Sequence, residues 1–419
     1  MAFNQKLEEI KSHLLGQVEG WGIEGNDLAV TAAREVGFPG AKAEEWKYSP
    51  LPIAPQQRFE LKGQSKGLQL EHADFPVSGL CELVFVDGRF EPALSDSLPT
   101  GARIEPGFEE GMSGFEDLLL SHLNDATAPT LGVVITVDAG AIIEPFILIR
   151  FLHTDTEAAS WTQSRIQVKV GSGAEVSFME CADPDVLQRM LNSVAEIQVE
   201  AEANVHWLNL EEVPESWIQV NQTRVSVAQK ARFEHIAIST GEGYVRNNLE
   251  IKITGEEGDA HMYGLSLGSQ KFHVDHHTFV NHKPENTTSN QLYKGIFSGK
   301  SKGVFNGKIL VDQVAQKTNA YQSSKNILLS TDAGVFAKPQ LEIFADDVKC
   351  SHGATIGQLD EEPIFYLRSR GLDLNTARML LIQAFASEVL MKIEHPAIHA
   401  WVEEKVLNRM DLMLAENKA

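Results

Sequence analysis

The chain has 419 residues and a formal net charge of −22, from 36 Lys and Arg against 58 Asp and Glu. This excess of negative charge disfavours a general electrostatic interaction with nucleic acid or with anionic lipid, so we expect neither as a partner. The hydrophobic content of 43% and the charged content of 22% are ordinary for a protein that buries a large core.

The lack of recognisable targeting signals and the few, unpaired cysteines predict a soluble protein of the cytoplasm. The first ten residues lack the apolar core of a signal peptide and are too acidic for a transit peptide. The most apolar run, residues 131–151, is interrupted by charged residues and a proline, so we expect no membrane span. Three cysteines (Cys81, Cys181 and Cys350) without a CxxC pair are typical of a reducing compartment.

Residues 1–60 are predicted to form an N-terminal helical region. Apolar residues recur at helical spacing between positions 7 and 14, which indicates a first helix. Asn26 is a candidate N-cap for a second helix over residues 28–36.

Turn-forming residues organise the segments that follow. The breaker at 37–40 (GFPG) ends the helices, and three prolines between 50 and 55 predict an extended segment pinned to the body of the protein. A hairpin about Asp87-Gly88 and a short helix over residues 115–124 come next.

From about residue 130 the sequence consists of short, strand-like apolar segments separated by small or polar turns. Four similar turns precede Ala174, Ala203, Ala231 and Ala260, at intervals of 29, 28 and 29 residues, and two related sequences at 303–305 and 334–336 lie 31 residues apart. Chance recurrence of alanine is the alternative. A corner that returns at constant spacing indicates a solenoid, and the strand-like segments favour a β-solenoid. We therefore assign residues 61–357 to a mainly β, β-helix core with an irregular lead-in to about 130.

The pattern changes to helical from about residue 361, which defines a C-terminal helical domain over 358–419. Residues 374–393 are apolar on nearly every side, so a helix there must be buried on two faces. A second helix after Pro396 can cover one face. The other face is expected to contact the end of the solenoid or another protein.

The strongest candidate site is the pair Cys350 and His352. In an extended segment these residues point to the same side, because side chains alternate along a strand. Thiolate and imidazole are soft ligands suited to iron–sulfur clusters, zinc or copper. The alternative is a structural pair, a small buried cysteine beside a hydrogen-bonded histidine.

Three motif-like sequences fail the structural context that their chemistry requires. The GxSxG pattern at 264–268 is followed by a predicted strand instead of a helix, which argues against a hydrolase. The sequence GKS at 299–301 lacks the earlier glycine of a phosphate-binding loop. The sequence GSG at 171–173 lacks the third glycine of a dinucleotide site.

A second group of imidazoles contains His273, His276, His277 and His282. Metal binding by this group is one interpretation, and a hydrated polar face of the solenoid is the favoured one. A structural zinc site is not expected, since the sequence has no HExxH motif and no paired CxxC.

Several stretches in a fixed order make this chain resemble the SufB/SufD family of iron–sulfur cluster assembly proteins. The segment around Cys350 reads Cys-x-His-Gly-Ala-Thr, which is similar to the SufD branch, whereas the longer SufB paralogues carry a His-Glu-Ala type of sequence there. The stretches that carry the resemblance are 37–39 (GFP), 45–48 (EWKY), 290–296 (NQLYKGI), 305–308 (FNGK), 315–322 (AQKTNAYQ), 338–343 (KPQLEI), 347–355 (DVKCSHGAT) and 365–371 (FYLRSRG).

The resemblance implies a right-handed parallel β-helix between N-terminal and C-terminal helical regions. It implies a non-catalytic scaffold subunit that pairs with a SufB-like paralogue, and a SufC-like ATPase that binds the C-terminal helices and hydrolyses ATP. Cys350 and His352 would lie at the interface where a transient iron–sulfur cluster or iron is held. If Lys349 lies near the thiol, its charge would favour ionisation of Cys350. The implied ATPase-docking face comprises Leu374, Ala377, Leu381, Phe385 and Val389.

The resemblance also implies further components of the complex. A cysteine desulfurase or sulfur carrier would deliver sulfur through the complex, and a reduced flavin would bind only the intact complex, at residues that the sequence does not assign. Without the SufB-like partner, a homodimer is plausible. The alternatives are a structural interaction scaffold in which Cys350 and His352 bind nothing, and a β-helix enzyme acting on polysaccharide.

Overall fold

A computed structural model describes residues 2–24, 26–38, 43–53, 57–63, 74–108, 119–154, 158–184 and 187–416. The helices are α1 (Ala2–Gly20), α2 (Asp27–Glu35), α3 (Leu119–Leu131), α4 (Glu361–Ser369), α5 (Leu374–Leu390) and α6 (Pro396–Glu416). The strands are β1 (Glu60–Leu61), β2 (Cys81–Val86), β3 (Arg89–Phe90), β4 (Ala102–Pro106), β5 (Gly132–Val137), β6 (Ile147–Leu152), β7 (Ser160–Val170), β8 (Glu175–Ala182), β9 (Arg189–Val199), β10 (Asn204–Val213), β11 (Trp217–Val227), β12 (Arg232–Gly241), β13 (Tyr244–Ile253), β14 (Asp259–Gly268), β15 (His273–His282), β16 (Thr288–Phe297), β17 (Lys302–Val311), β18 (Asn319–Leu328), β19 (Gly334–Ile343) and β20 (Lys349–Gly357).

Two mainly parallel sheets, each with an antiparallel pair at its N-terminal end, wind around a common lumen. The first sheet has the order β19-β17-β15-β13-β11-β9-β7-β5-β4, with β1 beside β7, and the second has the order β20-β18-β16-β14-β12-β10-β8-β6-β2-β3. From β5 to β20 each strand pairs in parallel with the strand two places further along the chain, so every turn adds one strand to each sheet. This arrangement confirms the predicted mainly β fold, a parallel β-helix with helices before and after it.

The strand register matches the predicted corner spacing at the first three corners. Glu175 pairs with Asn204 and Asn204 with Arg232, which are turns of 29 and 28 residues. At the fourth corner the predicted register is wrong by two residues, because Ala260 pairs with Phe233 and not with Ala231.

Corners of variable length explain this error and a second one. Gly334 pairs with Lys302 and not with Gly303, so the last predicted interval is wrong by one residue. Residues in the left-handed region turn the chain at many corners, with φ of 62° at Glu202 and 55° at Lys230. Such a corner accepts extra residues while the strands keep their length, so a fixed period cannot locate every strand.

The N-terminal helices cover the outer face of the first sheet. Apolar residues of α1, α2 and α3 form one cluster with outward-facing residues of β7, β9, β11 and β13. The predicted N-cap is wrong in one respect, because Asn26 precedes α2 without capping it and donates instead to the carbonyl of Ala126, 3.1 Å away. The predicted turn at Asp87-Gly88 is present between the antiparallel strands β2 and β3.

The C-terminal helices cover the outer face of the second sheet. Residues of α5 and α6 form one apolar cluster with outward-facing residues of strands from β6 to β16. The prediction that α5 is buried on two sides is confirmed, because α5 packs against α4, α6 and this sheet. Among the described helices, none is both long enough and apolar enough to cross a membrane.

Some sequence predictions fall on residues that lie outside the described ranges. These are Pro39 and Gly40 of the first breaker, Pro55 of the proline-rich segment, and positions 115–118 of the predicted short helix. The described part of that helix, α3, begins at Leu119 and continues through Pro129 to Leu131, which is seven residues beyond the predicted end.

Candidate functional site

The solenoid ends at β19 and β20, and this end is open. In the described residues, each of these strands is hydrogen-bonded in its sheet on one side only, β19 to β17 and β20 to β18. Every residue of β20 except Cys350 is exposed. An edge strand with unpaired backbone groups is a template for pairing with another strand.

Cys350 and His352 both face the lumen at this open end. Cys350 pairs in register with Ala320, and His352 with Gln322, whose side chains are buried in the interior. Since parallel strands in register stack equivalent side chains, the cysteine and the histidine point the same way. The structure therefore brings the two sequence-predicted residues together on one face, on the last strand.

The two side chains differ in environment. Cys350 is partly buried against the apolar core of the lumen, whereas His352 is exposed. Burial raises the pKa of the Cys350 thiol, and a backbone hydrogen bond with Ala320 offsets this rise only in part. Lys349 is on the opposite face of the strand and is not among the causes of the shift, so the expected thiol activation by Lys349 is not found. A ligand that takes this sulfur as thiolate must displace its proton.

A column of stacked side chains leads inward from His352. Strand register places Gln322 directly behind His352 and Gln291 behind Gln322. The amide of Gln322 has no hydrogen-bond partner at either atom among the described residues, although the residue is 97% buried, with 3% of its surface exposed. The full column is His352, Gln322, Gln291, Met262, His235, Trp207 and Phe178.

Much of the lumen is polar, which the sequence analysis missed. Burial raises the pKa of Glu180 to about 8 and that of Glu211 to about 7, and it lowers the pKa of His235 to about 3. Glu211 accepts hydrogen bonds from Ser239 at 2.5 Å and from Asn221 at 2.8 Å. The sequence does carry a signal for a polar lumen, since polar residues recur at alternate positions of consecutive strands. These positions can be aligned with one another only when the strand register is known.

The GxSxG sequence lies in this sealed interior. Ser266 belongs to β14 and is 3.0 Å from the Nε2 atom of His276, and both residues are buried. No helix follows β14, as predicted. The serine–histidine contact is therefore closed to a substrate and belongs to the polar lumen.

The second histidine group is not a hydrated polar face, and that interpretation is wrong. His276 and His282 point inward and are buried, with pKa values lowered by burial to about 4. His273 and His277 face outward but are covered by residues 43–53, which we call the N-terminal strap. Within the described residues, no group of three or more His, Cys, Asp and Glu is arranged to hold a metal ion.

The N-terminal strap crosses the outer face of the first sheet and reaches its last strand. Glu45 contacts the Nε2 atom of His277 at 2.5 Å, and the ring of Trp46 lies 3.7 Å from the guanidinium carbon of Arg246. Tyr48 stacks on Phe336 of β19 with 4.5 Å between ring centroids. The strap therefore braces the edge strand of the first sheet from outside.

The predicted docking residues on α5 divide into two groups. Ala377 and Val389 are fully buried within the chain, so they support the helix and do not offer a surface. Leu374 is 37% exposed, while Leu381 and Phe385 are partly buried.

Other apolar side chains of α4 and α5 are more accessible. They are Phe365 and Tyr366 of α4, which are 74% and 57% exposed, and Leu374 and Leu380 of α5, which are 37% and 42% exposed. We call these four residues the α4–α5 surface. Sequence reasoning concentrated on α5 because its composition is apolar on all sides, and that composition does not reveal which side other elements cover.

Comparisons with known proteins give consistent similarities. Residues 151–385 match the family model described as "SUF system FeS cluster assembly, SufBD core domain". The chain is 30% identical over 382 residues to the iron-sulfur cluster assembly protein SufD of Escherichia coli, covering 89% of this chain and 90% of that protein. It is 32% identical over 384 residues to the iron-sulfur cluster assembly SufBD family protein slr0076 of Synechocystis, covering 85% of this chain and 84% of the relative. It is 31% identical over 288 residues to the chloroplastic protein ABCI7 of Arabidopsis thaliana, covering 67% of this chain and 60% of that protein.

Proposed function

This chain belongs to the SufBD family of the SUF system for iron–sulfur cluster assembly, and from this membership we propose that it is the SufD-type scaffold subunit of an assembly complex. Its partners in the proposal are a SufB-like paralogue and a SufC-like ATPase. The chain itself performs no chemistry on ATP. It holds one half of the place where the cluster forms.

The observation that carries the proposal is the position of Cys350 and His352 on one face of the open terminal strand. The cargo is iron or a nascent cluster, for which an imidazole nitrogen and a thiolate sulfur are suitable ligands. Because a bound metal ion favours the thiolate, it would displace the proton that burial keeps on Cys350. His352 is the better-exposed donor of the two.

The open end also offers the surface for pairing. Four large apolar side chains there are 38–47% exposed, on the last two turns of the solenoid. A paralogue that presents an equivalent edge would pair with the free backbone groups and cover these side chains. Pairing would also enclose Cys350 and His352. Without the paralogue, a second copy of this chain would occupy the same edge. The four residues are Tyr321, Phe336, Ile343 and Ile356.

The ATPase is proposed to bind the α4–α5 surface, not the buried side of α5. Helix α5 is tied to the solenoid near its open end, because the Nζ atom of Lys294 in β16 lies 2.7 Å from the carbonyl oxygen of Phe385 and 2.5 Å from a carboxylate oxygen of Glu388. Lys325 of β18 is 3.8 Å from the same carboxylate. A force applied to the helices would therefore reach β18, the strand that pairs with β20.

The remaining components are expectations. Sulfur would arrive from a cysteine desulfurase or a sulfur carrier through the paralogue. A reduced flavin is expected in the intact complex only, with no residue of this chain assigned to it.

Co-expression with the two partners tests the proposal. The tagged chain should recover the paralogue and the ATPase, whereas a truncation ending at Glu361 should lose the ATPase. The His352→Ala variant should retain both partners and lose most cluster assembly on the complex, followed by visible absorbance after supply of iron and sulfide. Ser351→Ala is the matched control, because Ser351 lies between the two candidate ligands on the opposite face of β20.

Two outcomes would contradict the proposal. Cluster assembly at the wild-type rate in the His352→Ala and Cys350→Ala double variant would leave a structural scaffold without a ligand role. Recovery of the full chain alone, from cells that contain both partners, would remove the assembly role itself.

A further inference from the structure

The buried amide of Gln322 lacks hydrogen-bond partners immediately behind the candidate ligand His352. Both its Nε2 and its Oε1 atoms are inaccessible to solvent and unpartnered among the described residues. Leaving a buried polar group unpaired costs about 1–3 kcal/mol, so a buried amide with two unpaired atoms calls for hydrogen-bond partners from a neighbouring side chain or an ordered water. His352 is its neighbour in strand register on the open side.

The next residue inward can hold this amide in place. The Oε1 atom of Gln291 already accepts a hydrogen bond of 2.6 Å from Thr278, which lies on the facing sheet. Gln291 and Gln322 are in register on β16 and β18, and adjacent parallel strands are roughly 4.8 Å apart. The Nε2 atom of Gln291 is likewise unpartnered among the described residues. Stacked glutamine side chains at that spacing form amide ladders, and in the orientation in which the Nε2 atom of Gln322 donates to the Oε1 atom of Gln291, the Oε1 atom of Gln322 points toward His352.

A metal-binding histidine needs such an acceptor. When one ring nitrogen binds a metal ion, the other carries a hydrogen, and the group that accepts it fixes both the tautomer and the orientation of the ring. Among the described residues, Gln322 is the strand neighbour of His352 on the lumen side, and its amide oxygen can accept this hydrogen bond. Carboxylates are absent from this column.

We propose that Gln322 is a positioning residue for the iron site: its amide oxygen accepts a hydrogen bond from one ring N–H of His352 and presents the other nitrogen to iron. The hydrogen bond forms when a paired strand covers the open end and presses the exposed imidazole inward. This inference rests on the proposed ligand role of His352. It assigns to the lumen a function in cluster assembly beyond holding the fold.

The test compares two substitutions of similar shape and opposite chemistry in the complex with the paralogue. Gln322→Met fills the same space without an acceptor, and Gln322→Glu keeps acceptors at the same position. The readout is the affinity for Co²⁺, used as a spectroscopic substitute for Fe²⁺ and titrated by visible absorbance. Gln322→Met should weaken Co²⁺ binding about 10- to 100-fold, the usual loss for such a partner, while Gln322→Glu should remain within about threefold of wild type.

Packing alone predicts the reverse order. Methionine would then be tolerated, and a buried glutamate would be the harmful change. A second measurement does not depend on how well the glutamate variant folds: in a His352→Ala background, Gln322→Met should cause no further loss of Co²⁺ affinity, because its effect acts through the histidine.

The outcomes separate the inference from the proposal on which it rests. If His352→Ala leaves Co²⁺ affinity unchanged, the ligand role of His352 is wrong, and the inference is overturned with it. If His352→Ala weakens binding but Gln322→Met equals wild type, or weakens binding equally with and without His352, only the role of Gln322 is overturned.

Discussion

Arg246 of β13 joins the N-terminal strap to the solenoid, and its removal should have a large effect. Its Nη1 atom lies 2.7 Å from a carboxylate oxygen of Asp275 and donates to the carbonyl of Glu45 at 2.9 Å. The ring of Trp46 covers the guanidinium at 3.7 Å, and the Nε atom donates to Asn248 at 3.0 Å. The side chains of Arg246 and Asp275 are only 2% and 1% exposed, so water cannot replace this ion pair.

The Arg246→Met variant keeps the aliphatic volume and leaves the Asp275 carboxylate buried without its guanidinium. Breaking a buried ion pair by removing one partner costs about 3–5 kcal/mol, and Asp275 keeps the longer contact with the Nδ1 atom of His277 at 3.3 Å. We expect a loss of this size in the free energy of unfolding at pH 7. Part of it should appear as release of the strap, because Glu45 and Trp46 lose their contacts with the same guanidinium.

The loss should depend on pH with a defined sign. Burial raises the pKa of Asp275, but the charges of Arg246 and His277 outweigh burial and hold that pKa well below its usual range. A depressed carboxyl pKa contributes stability that is present above the unfolded value of about 3.8–3.9 and is lost as the pH falls through the folded value. In Arg246→Met the pKa of Asp275 is higher than in wild type. Because the unfolded pKa is common to both proteins and cancels, the difference in the free energy of unfolding should be largest near pH 7. It should shrink as the pH falls from the raised Asp275 pKa of the variant toward the lowered pKa of wild type.

Urea denaturation and hydrogen exchange measure the two parts of this prediction. Urea gives the total loss, and faster exchange in residues 43–53 reports the release of the strap. The control is Arg246→Met with Asp275→Asn, which removes the buried charge and should recover much of the loss. The reasoning is refuted if Arg246→Met lies within about 0.5 kcal/mol of wild type, or if the double variant is as unstable as the single one.

Three further substitutions test the strap, the lumen and the turn packing. Burial lowers the pKa of His277, but nearby carboxylates raise it overall, so the stabilisation by this residue is present below the unfolded pKa of about 6.5 and is lost as the pH rises through the folded pKa. By urea denaturation, His277→Gln should cost about 1–2 kcal/mol at pH 6 and less at pH 9. A loss that does not depend on pH would contradict this prediction. Burial raises the pKa of Glu180 to about 8, so the contribution of this residue to the free energy of unfolding should fall between about pH 4.5 and 8. Relative to wild type, Glu180→Gln should therefore be more stable by a few kcal/mol at pH 8 but not at pH 4.5. Parallel pH profiles of the two proteins would exclude this explanation. A Cβ at Gly264 would lie 2.3 Å from the ring of Tyr293, so Gly264→Ala should cost about 1–3 kcal/mol and lower the thermal midpoint. Gly353 has open space around it, so Gly353→Ala should keep the wild-type midpoint. Equal midpoints for the two variants would disprove the packing argument.

Features set by neighbouring residues could be read from the sequence. The strands of the solenoid follow from short apolar segments and polar corners, and the shared face of Cys350 and His352 follows from strand alternation. The spacing of the corners was correct where turns had 29 and 28 residues. It failed where Ala260 pairs with Phe233, since register depends on the length of each corner and not on an average period.

Features that depend on distant residues required the tertiary structure. The strap contact between Glu45 and His277 joins positions 232 residues apart, and no local pattern indicates that a hydrophilic histidine segment is covered. Likewise, composition marked α5 as apolar on all sides but could not distinguish the buried Ala377 from the exposed Leu374, because burial is decided by what packs against each side.

The β-solenoid, its helical ends and the candidate pair Cys350 and His352 follow from strand alternation and helical spacing, and the family follows from the resemblance of several stretches in a fixed order. Only the folded chain shows that this site lies on the last strand, which is paired on one side only, that Gln322 lies behind His352, and that the lumen is polar. The physical reason is that stacking in a solenoid brings together residues about one turn apart, and the exact offset is set by corners whose lengths vary from turn to turn.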